Sequence, residues 1–271
     1  MVKRLSIILV IGVTVLAISF IAGNYFFSHS RPPVISVVHN TPTTTPTSTP
    51  VDPVEEDIET YVKPTSTPQV TELPSKVLHD VSFSPQAPFG DWSDQRQQDG
   101  CEEASVVMAW KWANGQGLTR QEALEEITNI SNWEENQYGG YRDTSAEDTY
   151  KRLLQEFYGY KGGRVEYDIT LDDVKRELAA GNILIIPFDG QILNNPNFLN
   201  GGPERHMLVA IGYDDNKKQI ITNDPGTRLG QGFVYSYDNF EASFRNYETG
   251  NHEPIVGRRS AMIIVQKVGS P

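Results

Sequence analysis

From Cys101 to Gly181 the chain reads as helices, and from Ile183 to Gln266 as strands; this segregation limits the fold more than any other feature. Val106, Val107, Ala109 and Trp110 carry a helical pattern on from Cys101, and Gly115-Gln116-Gly117 stops it. Thr119 with Glu122 three residues on is a capping box, which predicts a second helix over 121–129. A third starts at Thr144 or Ser145 and runs through Tyr150, Leu153, Leu154 and Phe157; a fourth runs from Thr170 to about Ala180, with Gly181 as its stop. The period then shortens to that of strands. Ile183–Phe188 is an apolar run suited to a buried strand, and 206–213 and 219–223 flank a polar turn as a hairpin. Further strands are expected at 81–83, 232–237 and 260–266. Helices first and strands second predict an α+β domain with a mostly antiparallel sheet.

The N-terminal quarter cannot join that domain. Leu5 to Phe27 is 23 residues without charge behind the basic flank Lys3-Arg4, long enough for a bilayer core. Residues 1–28 are therefore expected to be a transmembrane signal-anchor with a cytoplasmic N-terminus; a cleaved secretory signal is the competing reading. Residues 29–76 hold Thr/Ser/Pro tracts around an acidic patch and have too little apolar surface to offset their ordering entropy, which predicts a disordered linker. Residues 77–271 remain, enough for one extracytoplasmic domain, expected to be monomeric. A net charge of −12 with no basic stripe argues against nucleic acid as a partner.

Cys101 is the only cysteine, so it forms no intramolecular disulfide. It stands at a helix start, where unpaired amide N–H groups and the helix dipole favour a thiolate. A thiolate nucleophile needs a base, an orienter for that base and an oxyanion donor. His206 opens an apolar strand, whereas His79 lies at the domain entrance and His252 in a polar loop. If the hairpin pairs as read, its far ends bring Asp224 beside His206, where a carboxylate can accept the Nδ1–H. Asp224-Pro225-Gly226 is equally good turn chemistry. No CxxC or HExxH spacing is present, so neither a metal nor another cofactor is expected.

Three blocks, Cys101-Glu-Glu-Ala-Ser-x-x-Met108, His206-Met-Leu-Val-Ala-Ile-Gly-Tyr-Asp214 and Asn223-Asp-Pro-Gly226, resemble those of the bacteriocin-processing-like ("C39-like") cysteine peptidases of the papain superfamily. The resemblance spans about Val81 to Val268. It implies a papain-like fold and a peptide or protein substrate, with Cys101 as nucleophile, His206 as base and Asp224 as orienter. The family's oxyanion glutamine would be Gln86, in Ser-Pro-Gln-Ala-Pro, or Gln95, six residues before the cysteine. Transporter-linked members carry glycine after the cysteine, where this chain has Glu102-Glu103; both are expected to turn outward, away from the thiol.

The function expected is that of a membrane-anchored extracytoplasmic cysteine peptidase working through an acyl-enzyme. A peptidoglycan amidase or endopeptidase and an inactive papain-like binding module are the alternatives. Specificity is expected to lie in the Asn194–Pro203 loop and the Trp133–Arg142 stretch.

Overall fold

The computed structural model describes residues 72–250, 252, 255, 257 and 259–269. The expected membrane segment and nearly all of the expected linker lie outside these residues. Among the described residues no helix is long and apolar enough to cross a membrane.

The strands are β1 (Lys76–Leu78), β2 (Arg164–Tyr167), β3 (Ile183–Phe188), β4 (His206–Asp214), β5 (Gln219–Asn223), β6 (Phe233–Ser236) and β7 (Ala261–Val265). They form one sheet in the order β2-β7-β3-β4-β5-β6, with β1 paired to the far end of β4, and every pairing is antiparallel. The carbonyls of Pro74 and Ser75 accept from Tyr213 and the Asp215 N–H, so ordered pairing starts just ahead of Val77.

β3, β4 and β7 are buried along their whole length. They read as continuous apolar runs because both sheet faces are covered. Ile183, Ile185, Met207, Val209, Ile263 and Val265 join one core. The residues between them, Leu184, Ile186, Leu208, Ala210, Met262 and Ile264, join the other. This alternation is the two-residue period of a strand.

The first core packs against α2 (Cys101–Ala113), α3 (Arg120–Tyr138) and a π-helix (Thr149–Phe157) that continues α4 (Ala146–Asp148). The second packs against α5 (Leu171–Ala179) and α7 (Tyr237–Ala242). Among the described residues the remaining helices are short, α1 (Gln95–Gln98), α6 (Gly190–Leu193) and a 3-10 turn at Leu199–Gly201.

Several elements differ from the sequence reading, which has no counterpart of α1, α6 or α7. Residues 81–83 are irregular, and Lys76–Leu78 is the strand instead. α3 runs nine residues past Asn129, because Ser131 and Glu134 continue its buried face with polar side chains that an apolar pattern does not register. The third helix opens into π geometry, with the Tyr158 N–H reaching back to the Leu153 carbonyl, and buries both Leu153 and Leu154. β2 has no strong apolar alternation and pairs only at the sheet edge.

Candidate active site

A cleft of about 1410 Å3 opens between the segment before α1, the loop before β4 and the turn after β5. Gln86, Cys101 and His206 line it. Cys101 is the first residue of α2, and Gly100 caps that helix. A Cβ on Gly100 would stand 2.4 Å from the Arg96 carbonyl oxygen, so only glycine lets α1 turn this tightly into α2.

His206 and Asp224 meet as the hairpin register requires, since Val209 pairs with Asn223. Both side chains are fully buried, and His206 Nε2 lies 2.8 Å from Asp224 Oδ1. The nitrogen held by the carboxylate is thus Nε2, where the sequence reading assigned Nδ1. The ring enters from the start of β4 with Nε2 toward the β5 end, which leaves Nδ1 as the free nitrogen.

Every other lone pair of Asp224 is engaged. Oδ1 also accepts from the Gly226 N–H at 2.9 Å, and Oδ2 accepts from Asn195 Nδ2 at 3.0 Å and from the Tyr235 hydroxyl. Burial alone would raise this carboxyl, but the His206 charge and the hydrogen bonds from His206, Tyr235 and Gly226 outweigh it and hold it below the usual range. Burial and the Asp224 charge push the Tyr235 phenol up, so it stays a donor. A Cβ on Gly226 would stand 2.9 Å from both His206 and Phe198, so glycine is required to close this corner. Phe198 packs its edge on the imidazole, ring centres 5.1 Å apart.

Gln86 and Gln95, the two candidate oxyanion glutamines, differ sharply in position. Gln86 is buried: its N–H donates to the Pro225 carbonyl at 2.9 Å, and Nε2 donates to the Gln98 carbonyl at 2.7 Å. One amide proton of Nε2 remains for a ligand. Gln95 is exposed and bound to Gln98 and Arg142 outside the cleft.

The expectation for Glu102 and Glu103 fails. Both are buried, at 1% and 0% exposure. The Cys101 thiol donates to Glu102 Oε2 at 3.0 Å, and the Tyr247 hydroxyl donates to Oε1 at 2.6 Å. Glu103 accepts from the Ser131 hydroxyl at 2.9 Å. The reason lies in the helix, because all of Cys101–Ala109 is buried and its first turn has no solvent side to turn toward. Burial pushes the Cys101 thiol well above its ordinary value, and the Glu102 and Glu103 charges add to the effect. Burial, only partly offset by the Tyr247 and Cys101 hydrogen bonds, raises Glu102 to about 7. The helix dipole that favours a thiolate is opposed here.

The loop expected to carry specificity does line the cleft, through Asn197, Phe198, Leu199, Gly202 and Pro203. Of the Trp133–Arg142 stretch, by contrast, most belongs to α3, and residues 138–142 line a separate smaller pocket. His252 stands at the cleft, its Nδ1 3.1 Å from Asp143, while His79 bonds the Leu178 carbonyl away from it. Sequence reasoning missed Asn195, Tyr235 and Tyr247. None has a motif, although the run after Glu103, apolar but for Ser105 up to Trp110, is a signal that the carboxylates of this helix are enclosed.

A thiol at a helix start thus lines the same cleft as a histidine tied to an aspartate, in an α+β domain. The chain belongs to the Peptidase C39 like family, which matches residues 79–253. It is a cysteine-type peptidase. Solved structures similar to it include the following two. One is a Bacillus anthracis protein assigned as a C39-like peptidase, 16% identical over 71% of this chain and 98% of that one, TM-score 0.43. The other is Xylellain, a cysteine protease from Xylella fastidiosa, 14% identical over 73% of this chain and 87% of that one, TM-score 0.30. No curated protein matches the chain. The family assignment rests on the family match.

Proposed function

We propose that this peptidase hydrolyses peptide bonds through Cys101 as nucleophile, His206 as base and Asp224 as the group that orients His206. The observation that carries the reading is the meeting of Cys101, His206 and Gln86 in one cleft, with His206 Nε2 tied to Asp224. That tie leaves Nδ1 to take the thiol proton. The thiolate attacks the peptide carbonyl, and the oxyanion is held by the Cys101 backbone N–H and the second amide proton of Gln86. His206 returns its proton to the leaving amine, and water, deprotonated by His206, releases the acyl-enzyme. Phe89 and Trp92 stand exposed on one rim of the cleft and Leu199 on the other, which suits peptide side chains of apolar character.

The apolar run Leu5–Phe27 and the Thr/Pro tracts that follow support an enzyme tethered to the membrane with its peptidase domain outside the cytoplasm. The test is Cys101→Ala assayed on a peptide library beside the wild type. Hydrolysis is expected to fall at least about a thousandfold with the fold retained; a variant that keeps full activity refutes the assignment.

A further inference from the structure

Glu102 occupies a position no part of the proposed mechanism uses. It is buried against the sulfur, and both its oxygens are engaged, one by the Cys101 thiol at 3.0 Å and the other by the Tyr247 hydroxyl at 2.6 Å. Tyr247 is itself buried and reaches Glu102 from the segment after α7, so the carboxylate is clamped between sulfur and phenol.

We propose that Glu102 is a positioning residue for the nucleophile: it holds Cys101 as a protonated thiol at rest, and its neutralisation frees the sulfur to pair with His206. The inference rests on reading Cys101 as the nucleophile.

The argument is electrostatic. A thiolate and a carboxylate in direct contact within a buried site repel strongly, so the two groups share one proton. The surroundings offer little relief. On α2 itself the neighbour is Glu103; from α3 comes Glu134, and from the loop before α4 comes Asp143. Arg152 and Asp148 act on Glu134, and Arg205 at the start of β4 is turned to Asp143, 3.9 Å away. On the cleft side His206, His252, Arg120, Arg205 and Arg228 can carry positive charge.

When Glu102 takes a proton from solvent, its Oε2 no longer accepts from the thiol as an anion. The S–H proton then passes to His206 Nδ1. One proton enters from solvent and one moves within the site, leaving a thiolate, an imidazolium and a neutral Glu102. Because Glu102 titrates at about 7, the change falls within a readily assayed range.

The test is the pH dependence of iodoacetamide alkylation, which reports on Cys101 alone because the chain has no other cysteine. The full-length wild type, Glu102→Gln and Tyr247→Phe are compared from pH 5 to 9. Glu102→Gln keeps the shape without the charge, and the apparent thiol pKa is expected to fall by about 1–3 units, so that alkylation at pH 7.5 is at least about tenfold faster. Tyr247→Phe removes the donor that stabilises the carboxylate, which makes Glu102 easier to protonate, and should shift the profile the same way by less. A folded Glu102→Gln protein that alkylates like the wild type at every pH overturns the proposal. If that variant does not fold, Tyr247→Phe decides by the same criterion. Peptide hydrolysis is read separately. An unshifted profile with hydrolysis intact rejects only the role of Glu102. A shifted profile in a protein that hydrolyses nothing supports that role and rejects the peptidase mechanism.

Discussion

Replacing Glu134 by glutamine should stabilise this protein, and the gain should grow with pH. Glu134 is fully buried on the inner face of α3, and neither carboxylate oxygen has a hydrogen-bond partner among the described residues. Burial, and after it the charge of Glu102, raises its carboxyl from 4.5 to about 9, against a small opposing pull from Arg152. The folded state therefore retains a proton that the unfolded chain gives up between about pH 4.5 and 9. For an acid raised by folding, stability is greatest below the unfolded value and is lost as pH climbs toward the folded one. Each pH unit in that window costs about 1.4 kcal/mol, and pH 7 lies about 2.5 units above the unfolded value, so the burden at neutrality is on the order of 3 kcal/mol. Against a total of about 5–15 kcal/mol that is a large share. Glutamine fills the same volume and carries no proton to retain. Urea unfolding followed by tryptophan fluorescence should give the variant an advantage of about 2–3 kcal/mol at pH 7 and almost none at pH 4.5. An advantage that stays constant from pH 5 to 8, or a variant less stable at pH 8, would refute the reasoning. The Glu134 charge also helps to raise Glu103, so its removal lowers Glu103 as well and adds to the gain at higher pH.

Two further substitutions test the site from other sides. Asp224→Asn should keep the hairpin but take away the carboxylate that fixes His206, lowering kcat on order of 10²–10⁴-fold, less than removal of His206; an unchanged rate unseats Asp224. Gln86→Ala should cost about 10²–10³-fold in kcat, while Gln95→Ala changes it less than about twofold, and the reverse order of effects assigns the oxyanion donor to Gln95.

What could be read from the chain beforehand follows from how far each signal reaches. The juxtaposition of His206 and Asp224 was accessible because a hairpin's register is local: Val209 against Asn223 carries the neighbouring ends together. The clamp on Asp224 was not. Asn195 comes from a loop after α6, and Tyr235 comes from β6, where it reads as an ordinary strand aromatic. The choice between Gln86 and Gln95 could not be made from spacing either. α1 inserts a short helix between Gln86 and Cys101, and the Gln98 carbonyl at its end is what the Gln86 amide grips.

The orientation of Glu102 and Glu103 shows most clearly why a helix start is an incomplete argument for a reactive thiol. Acidic residues in a first turn suit the dipole at the surface, where water screens them from their neighbours. Here α2 is enclosed between the sheet and α3, so the same residues are desolvated, and their opposition to a thiolate is no longer screened by water. The dipole's contribution of at most about 2 kcal/mol is small beside a buried anion in contact with the sulfur. Reactivity at Cys101 therefore cannot come from its place in the helix. In the mechanism proposed above it comes from pairing with His206 and from whatever neutralises Glu102, and the pH at which alkylation accelerates measures that second requirement directly.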